Sequence, residues 1–182
     1  NIREVGASIT VVGERQLENI GASSLTDYAA LVPGMQVQSN GNPGQTSISL
    51  RGIAAMSPSA TVATYIDEVP LGSSGIYQAA NAFMLDLLPY DISQVEVMRG
   101  PQGTLYGAGA IGGLLKYVRR APDLASDEMR VGVGLRSVQD GGSDWNVRVG
   151  ASAPLKDDRL GLRMSLARNG LPGYTDNEVD GA

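Results

Sequence analysis

Cysteine and histidine are both absent from the 182 residues. Their absence removes thiolate and imidazole metal sites, cysteine nucleophiles and any Ser-His-Asp relay. It assigns no compartment, because a cysteine-free chain suits reducing and oxidising surroundings alike. Long apolar runs are missing too: no window approaches about 18 uninterrupted apolar residues, which excludes a transmembrane helix. Basic residues are few and scattered, 14 against 19 acidic for a net charge of −5, and this argues against nucleic acid as a partner. With 42% hydrophobic and 18% charged residues, the composition fits neither a disordered chain nor a run of helical membrane spans. The chain starts at Asn1 without a charged-then-apolar leader, so it is expected to be processed or a piece of a longer protein.

What it has in excess is glycine, 24 residues, densest between two β-prone runs. Val95 and Val97 precede Gly100, Gly103, Gly107, Gly109, Gly112 and Gly113, and Leu114, Leu115, Tyr117 and Val118 follow them. Branched, aromatic and aliphatic residues favour the pleated surface of a strand. Glycines packed between two strands mark tight turns or a backbone closely approached by other atoms.

Ahead of that stretch, short strands and short helices interleave. Residues 8–12 form a β-prone run. Leu17 and Ile20, three apart, predict a short helix over residues 14–20 stopped at Gly21. Ser24 and Asp27 resemble a capping box that opens a helix through Leu31. Residues 35–38, 48–53 and 61–69 read as strands, the last with Pro70 at a strand end or edge. Residues 40–44, 54–60 and 72–83 read as loops by their turn-forming and small residues. Residues 84–88 could form one helical turn before Pro89. About 120 residues organised in this way predict a small α+β domain with a mixed sheet.

After Pro122 the pattern changes. Met129, Val131, Val133 and Leu135 alternate with Arg130, Gly132, Gly134 and Arg136. Trp145, Val147, Val149, Ala151 and Ala153 alternate with Asn146, Arg148, Gly150 and Ser152. Leu160, Leu162, Met164 and Leu166 alternate with Arg159, Gly161, Arg163 and Ser165. Turns at residues 140–144 and 156–158 separate the three runs. Their length and strict period of two suit transmembrane β-strands, and Trp145 beside a turn suits an interfacial aromatic girdle. A soluble antiparallel meander with one wet face has the same period. Glycine and arginine sharing the polar face favour the barrel, where that face lines a lumen. Three strands cannot close a barrel, and an open edge in lipid is untenable, so the membrane reading implies further strands.

Four segments together resemble the plug domain of TonB-dependent outer-membrane receptors, in that family's order and spacing. They are Leu50-Arg-Gly52, Tyr65-Ile-Asp-Glu-Val-Pro70, Val95-Glu-Val-Met-Arg-Gly-Pro-Gln-Gly-Thr-Leu-Tyr-Gly107 and Ala110-Ile-Gly-Gly113. The resemblance covers residues 1–122 as an α+β plug with a mixed sheet. Residues 123–182 would begin a transmembrane β-barrel, with its first antiparallel strands within 127–169. It implies a barrel of about 22 strands with a plugged lumen in the Gram-negative outer membrane. It also implies active import of a scarce nutrient, most often a ferric siderophore or similar chelate, energised through the periplasmic protein TonB. The partners implied are thus TonB, outer-membrane lipid and a small-molecule or chelate ligand; no enzymatic activity, cofactor or resident metal is implied.

Residue roles follow from the same resemblance. Arg51 and Arg99 stand where the family's arginines reach glutamates on the barrel wall and lock the plug, and buried arginines need carboxylate partners of good geometry. A pair inside the plug, with Glu96 or Asp67, is the alternative. The family's ligand site lies at the outward plug apices, here residues 54–60 and 73–83, with Met56, Ser57, Tyr77, Gln78 and Phe83 the contact candidates. The family's TonB box is expected ahead of residues 8–12, and residues 1–7 do not resemble it.

Three rival readings remain at the level of sequence. Gly107-Ala-Gly-Ala-Ile-Gly112 matches the dinucleotide fingerprint, which must follow a strand and open a helix; here a strand-like run follows at once. Asp67 and Glu68 could be a catalytic carboxylate pair, but neighbours on a strand point to opposite faces, and a turn-forming, hydrogen-bonding role is expected instead. A receptor of the same fold could act chiefly in ligand binding and signalling, through an additional N-terminal domain. The glycines of the central stretch are expected to thin the plug where it meets an enclosing wall.

Overall fold

The structure, a computed structural model, describes residues 8–22, 24–39, 46–53, 61–71, 91–107, 109–137, 143–156 and 158–170. The chain divides into two compact units, residues 1–120 and 121–182.

The first unit is built on a five-stranded sheet of order β1-β6-β7-β4-β5. Its strands are β1 (Ser8–Gly13), β4 (Val62–Ile66), β5 (Val69–Leu71), β6 (Ile92–Arg99) and β7 (Gly113–Arg119). β4 and β7 are parallel and the other pairs antiparallel, so the sheet is mixed, as expected. A separate antiparallel hairpin joins β2 (Met35–Ser39) to β3 (Thr46–Leu50). The described helices are short: α1 (Glu14–Asn19), α2 (Leu25–Ala29) and α3 (Gly103–Tyr106).

The core gathers one face of each element. Val12, Leu17, Leu25, Tyr28, Val32, Leu50, Val95, Val97, Leu115 and Tyr117 are buried together, each large aliphatic or aromatic side chain contributing roughly 1.5–3 kcal/mol. β7 has neighbours on both edges, and both Leu114 and Leu115 on its opposite faces are fully enclosed. Within the core the Tyr28 and Tyr117 hydroxyls hydrogen-bond to each other at 2.7 Å, which satisfies polar groups that would be costly to bury unpaired. On β6, Ile92 and Val95 both turn inward although they are three apart. A register shift between Ile92 and Gln94 reconciles them, as a β-bulge does by re-aiming side chains. Ser93, at the irregularity, donates its hydroxyl to the Val118 carbonyl at 3.1 Å.

Several boundaries differ from the sequence expectation. The strand expected over residues 61–69 breaks at Asp67, which adopts φ 51°. Asp67 and Glu68 therefore form the turn of a β4–β5 hairpin, not adjacent strand positions, and Pro70 lies on the edge strand. The strand expected over 48–53 ends at Leu50. Arg51 takes φ 54°, its N–H donates to the Gly34 carbonyl at 2.8 Å, and the Ile53 N–H returns to the Leu50 carbonyl at 3.0 Å. α2 stops at Ala29, two residues before the expected end, while its start is as read: the Ser24 N–H donates to Asp27 Oδ2 at 2.8 Å. α3 has no counterpart in the sequence reading; a single turn bracketed by glycines carries no periodic signal. The expected loops at 40–44, 54–60 and 72–83 and the expected turn at 84–88 lie outside the described residues.

The second unit is an antiparallel sheet of order β10-β9-β8, with β8 (Glu128–Ser137), β9 (Ser143–Lys156) and β10 (Leu160–Gly170). These are the three alternating runs. Met129, Val131, Val133 and Leu135 on β8, with Leu162, Met164 and Leu166 on β10, are all exposed on one face. The other face is polar. Gly132 lies opposite Arg148, Gly134 opposite Asn146 and Glu128 opposite Ser152, and the long side chains extend over the glycines. Glu128 pairs with Arg130 and, at 3.3 Å, with Arg163 across β9. Ahead of β8, Asp123 accepts from the Ala125 N–H at 2.8 Å and the Ser126 hydroxyl at 2.7 Å, and its own N–H donates to the buried Ser152 hydroxyl at 2.9 Å. These hydrogen bonds, the Ala125 N–H foremost, hold the Asp123 carboxyl below its ordinary pKa.

Candidate functional site

One end of the five-stranded sheet collects the residues singled out by motif. Arg99 on β6 pairs with Gly113 on β7, which pairs with Val62 on β4. β4 begins at this end and β5 returns toward it, because Leu71 pairs with Thr64 and Val69 with Ile66. The chain thus enters β4 from residues 54–60, and leaves β5 into residues 72–90, at the end marked by Arg99 and Gly113. The opposite end carries the Asp67–Glu68 turn.

Arg51 and Arg99 converge at this first end. The turn at Pro33 and Gly34, with Gly34 at φ +77°, receives both: the Pro33 carbonyl accepts from Arg99 Nη1 at 3.3 Å, and the Gly34 carbonyl accepts the Arg51 N–H at 2.8 Å. The Arg51 side chain continues past Gly100, where Arg51 Nη1 lies 3.9 Å from the point a Cβ would occupy. Arg99 Nε is buried and has no hydrogen-bond partner among the described residues. Among those residues neither guanidinium meets a carboxylate. Arg51 is exposed and Arg99 half-buried, and of the two guanidiniums only that of Arg99 is held by a backbone carbonyl, so both cations are open to an anionic partner.

The carboxylates considered as partners inside the plug are committed elsewhere. Asp67 receives the Arg119 N–H at 2.9 Å and Arg119 Nε at 2.6 Å, and the backbone bond foremost holds its carboxyl below the ordinary range. Glu68 pairs with Lys116 at 2.5 Å, which raises the Lys116 pKa. Glu96 accepts from the Gln94 side chain at 2.5 Å, and Glu14 pairs with Arg120. Asp67 and Glu68 thus each have their own cation at a turn, an arrangement that braces the hairpin against β7.

Part of the glycine-rich segment is closely approached by the unit's own chain. A Cβ on Gly113 would come within 2.5 Å of Leu50 Cδ1 and would also meet the Met98 carbonyl, and one on Gly112 would lie 3.2 Å from the Thr61 carbonyl and 3.3 Å from Ile53 Cγ2. At these two glycines the close approach is to the unit's own chain, while a Cβ on Gly103 or Gly107 would have nothing within 4 Å among the described residues. Backbone bonds stitch the segment down: Gly112 N–H to the Thr61 carbonyl at 2.8 Å, Gly100 N–H to the Gly112 carbonyl at 3.1 Å, and Gln102 N–H to the Ala110 carbonyl at 2.8 Å. The Tyr65 hydroxyl donates to the Tyr106 carbonyl at 3.2 Å and the two rings meet edge to face at 5.2 Å, so two of the motifs are in contact. β7 begins at Gly113, directly after the sixth residue of the dinucleotide-like pattern. Among the described residues that pattern opens no helix, as a dinucleotide fingerprint must.

Met56, Ser57, Tyr77, Gln78 and Phe83 lie outside the described residues. Among the described residues no group of His, Cys, Asp and Glu could hold a metal ion. The Pro33–Gly34 turn was missed as part of the arginine site. Its signal was present, a Pro-Gly pair ending α2, but nothing in the sequence ties a turn to a guanidinium 66 residues away.

Comparison with known proteins supplies the context. A family model described as the TonB-dependent Receptor Plug Domain matches residues 1–114. The pesticin receptor of Yersinia pestis is 30% identical over 177 residues, covering 96% of this chain and 24% of the relative. The vitamin B12 transporter BtuB of Vibrio vulnificus strain YJ016 is 36% identical over 175 residues, covering 95% of this chain and 26% of the relative. Among solved structures, the ferric yersiniabactin uptake receptor FyuA from Yersinia pestis superposes with a TM-score of 0.70 at 28% identity, covering 89% of this chain and 24% of that one. The ferripyoverdine receptor of the outer membrane of Pseudomonas aeruginosa shares the fold with a TM-score of 0.70 at 21% identity, over 91% of this chain and 20% of that one. The chain spans about a quarter of the length of the curated relatives it matches.

Proposed function

We infer, for a chain that belongs to the TonB-dependent receptors through their plug domain, that the whole protein imports a scarce nutrient, a ferric siderophore or similar chelate, with energy delivered by TonB. Proteins of this family reside in the Gram-negative outer membrane and are receptors and transporters, not enzymes. The observation that carries the reading is the succession of a mixed-sheet plug and three alternating strands whose large apolar side chains on β8 and β10 are exposed. An exposed apolar face of that size is stable in lipid, and an isolated apolar sheet in water is an aggregation hazard. Residues 1–122 then act as the plug and residues 123–182 begin the barrel. The yersiniabactin and pyoverdine receptors among the structural relatives support a ferric chelate as cargo.

Within this reading Met56, Ser57, Tyr77, Gln78 and Phe83 contact the ligand, on loops whose flanking strands meet the arginine end of the sheet. Arg51 and Arg99 lock the plug by pairing with carboxylates of the barrel wall. Their support is the convergence on Pro33 and Gly34 and the absence of a carboxylate partner among the described residues. Arg99→Ala should loosen the lock and admit bulky antibiotics that the wild type excludes; unchanged sensitivity would remove Arg99 from that role. Transport is tested with the full-length receptor in cells starved of iron. Uptake of the radiolabelled ferric chelate should collapse when a protonophore dissipates the proton gradient, and uptake that survives would contradict active transport.

A further inference from the structure

The apolar face of the second unit has one charged interruption. On β10 the apolar positions run Leu160, Leu162, Met164, Leu166 and then Arg168, which is exposed. Arg168 pairs with Val147, and Val147 with Val133, so a guanidinium ends a row of two valines. Among the described residues Arg168 has no carboxylate partner. The next row is Leu135, Trp145 and Gly170. There the indole lies across the bare backbone of Gly170, where a Cβ would come within 2.6 Å of its ring. Arg168 and Trp145 are diagonal neighbours on one face, within reach of each other for long and aromatic side chains.

The position of this pair follows from strand length. The apolar positions of β9 run from Trp145 to Leu155, ten residue steps or roughly 33 Å along the strand. At a tilt of about 40° that becomes about 25 Å, the height of the apolar band of an outer-membrane barrel. Trp145 therefore stands at one boundary of the hydrocarbon. The boundary is the outer one: residues 138–142 connect β8 to β9 at that end, and the shorter 157–159 connects β9 to β10 at the other, while outer loops exceed inner turns in such barrels. An arginine on the lipid face is costly at midplane and nearly free at the interface, where its long stem lets the charge reach the headgroups.

We propose that Arg168, with the Trp145 indole beside it, holds a phosphate of the anionic glycolipid of the outer leaflet, so that a phosphorylated lipid is bound on the outside of the β9–β10 pair. The proposal rests on the barrel reading above. The guanidinium supplies paired donors suited to phosphate geometry, and the indole N–H a further donor at headgroup depth.

The test uses the full-length receptor in nanodiscs containing bis-phosphorylated lipid A, dephosphorylated lipid A or phosphatidylcholine, with bound lipid counted by native mass spectrometry. Wild type should retain phosphorylated lipid A about fivefold more than the dephosphorylated form. Arg168→Gln should lose that preference and Arg168→Lys keep part of it. Equal retention by wild type and Arg168→Gln would overturn the proposal. Heat-modifiable migration on gels reports barrel insertion separately. If Arg168→Gln fails to insert, the wild-type comparison decides, and equal binding of phosphorylated and dephosphorylated lipid overturns it. Failure of the wild type itself to insert would instead contradict the barrel reading.

Discussion

The two units of this chain use one alternation for opposite ends. In β6 and β7, Val95, Leu115 and Tyr117 are at most 1% exposed, enclosed by neighbouring strands and by helices laid over the sheet. In β8, Leu135 is 84% exposed and Met129 72%, on strands of the same period. A period of two says only that the two faces of a strand differ; it does not say which face meets water. The discriminating information is on the other face. In the first unit the β7 face opposite Leu115 and Tyr117 carries Lys116, paired with Glu68, and the strand's exposed end carries Arg119, paired with Asp67. In the second unit it carries glycines beneath Arg148 and Asn146 and a Glu128 shared by two arginines, a polar layer in which Asn146 Oδ1 and Arg148 Nε are buried without a hydrogen-bond partner among the described residues.

The largest way to break this contrast is to disturb the enclosed side. Gly113→Val places a branched side chain against the Met98 carbonyl and Leu50. It should cost about 4 kcal/mol or more, read as lost hydrogen-exchange protection across β6 and β7 in the full-length receptor, with the barrel strands unaffected. A charge on the exposed side should hurt only in lipid. Met164→Arg, at the centre of the β10 apolar run, should lower the unfolding free energy in vesicles by about 2–4 kcal/mol, measured by urea titration, and leave β6–β7 protection intact. The smallest effect concerns the hairpin charges. Folding depresses the Asp67 pKa below 3.8, chiefly through the Arg119 N–H. The stability this carboxylate supplies is therefore present above that pH and fades as pH falls through the folded-state value. Asp67→Asn should lower the melting temperature slightly at pH 7 and match the wild type once the pH is well below 3.8.

Much of this architecture was legible in the sequence because the relevant signals are local. The period-two runs set β8, β9 and β10, the Ser24–Asp27 capping pair set the start of α2, and the motif segments set the family. What escaped was conformation imposed by distant partners. The turn-forming, hydrogen-bonding role of Asp67 and Glu68 was expected, but not its anchor: Arg119, 52 residues away, takes both carboxylate oxygens. Arg51 reads as a strand residue until the Gly34 carbonyl draws its N–H out of the ladder. The two arginines of the site were identifiable by motif, yet the Pro33–Gly34 turn that holds them together was not. The glycines were taken as points of close approach to an enclosing wall; for Gly112 and Gly113 the approach is to the unit's own Thr61, Ile53, Leu50 and Met98, partners that only the fold brings near.

The contrast between the units is most directly measured by accessibility along β8. The sequence contains no cysteine, so nitroxides placed singly from Met129 to Arg136 in the full-length receptor introduce the only labels into this segment. In native outer membranes, collision with oxygen should peak at positions 129, 131, 133 and 135. Collision with a water-soluble nickel chelate should be low at those positions throughout. A strand whose odd positions collide freely with the nickel chelate would be a water-exposed meander, and would contradict the assignment of this sheet to the membrane.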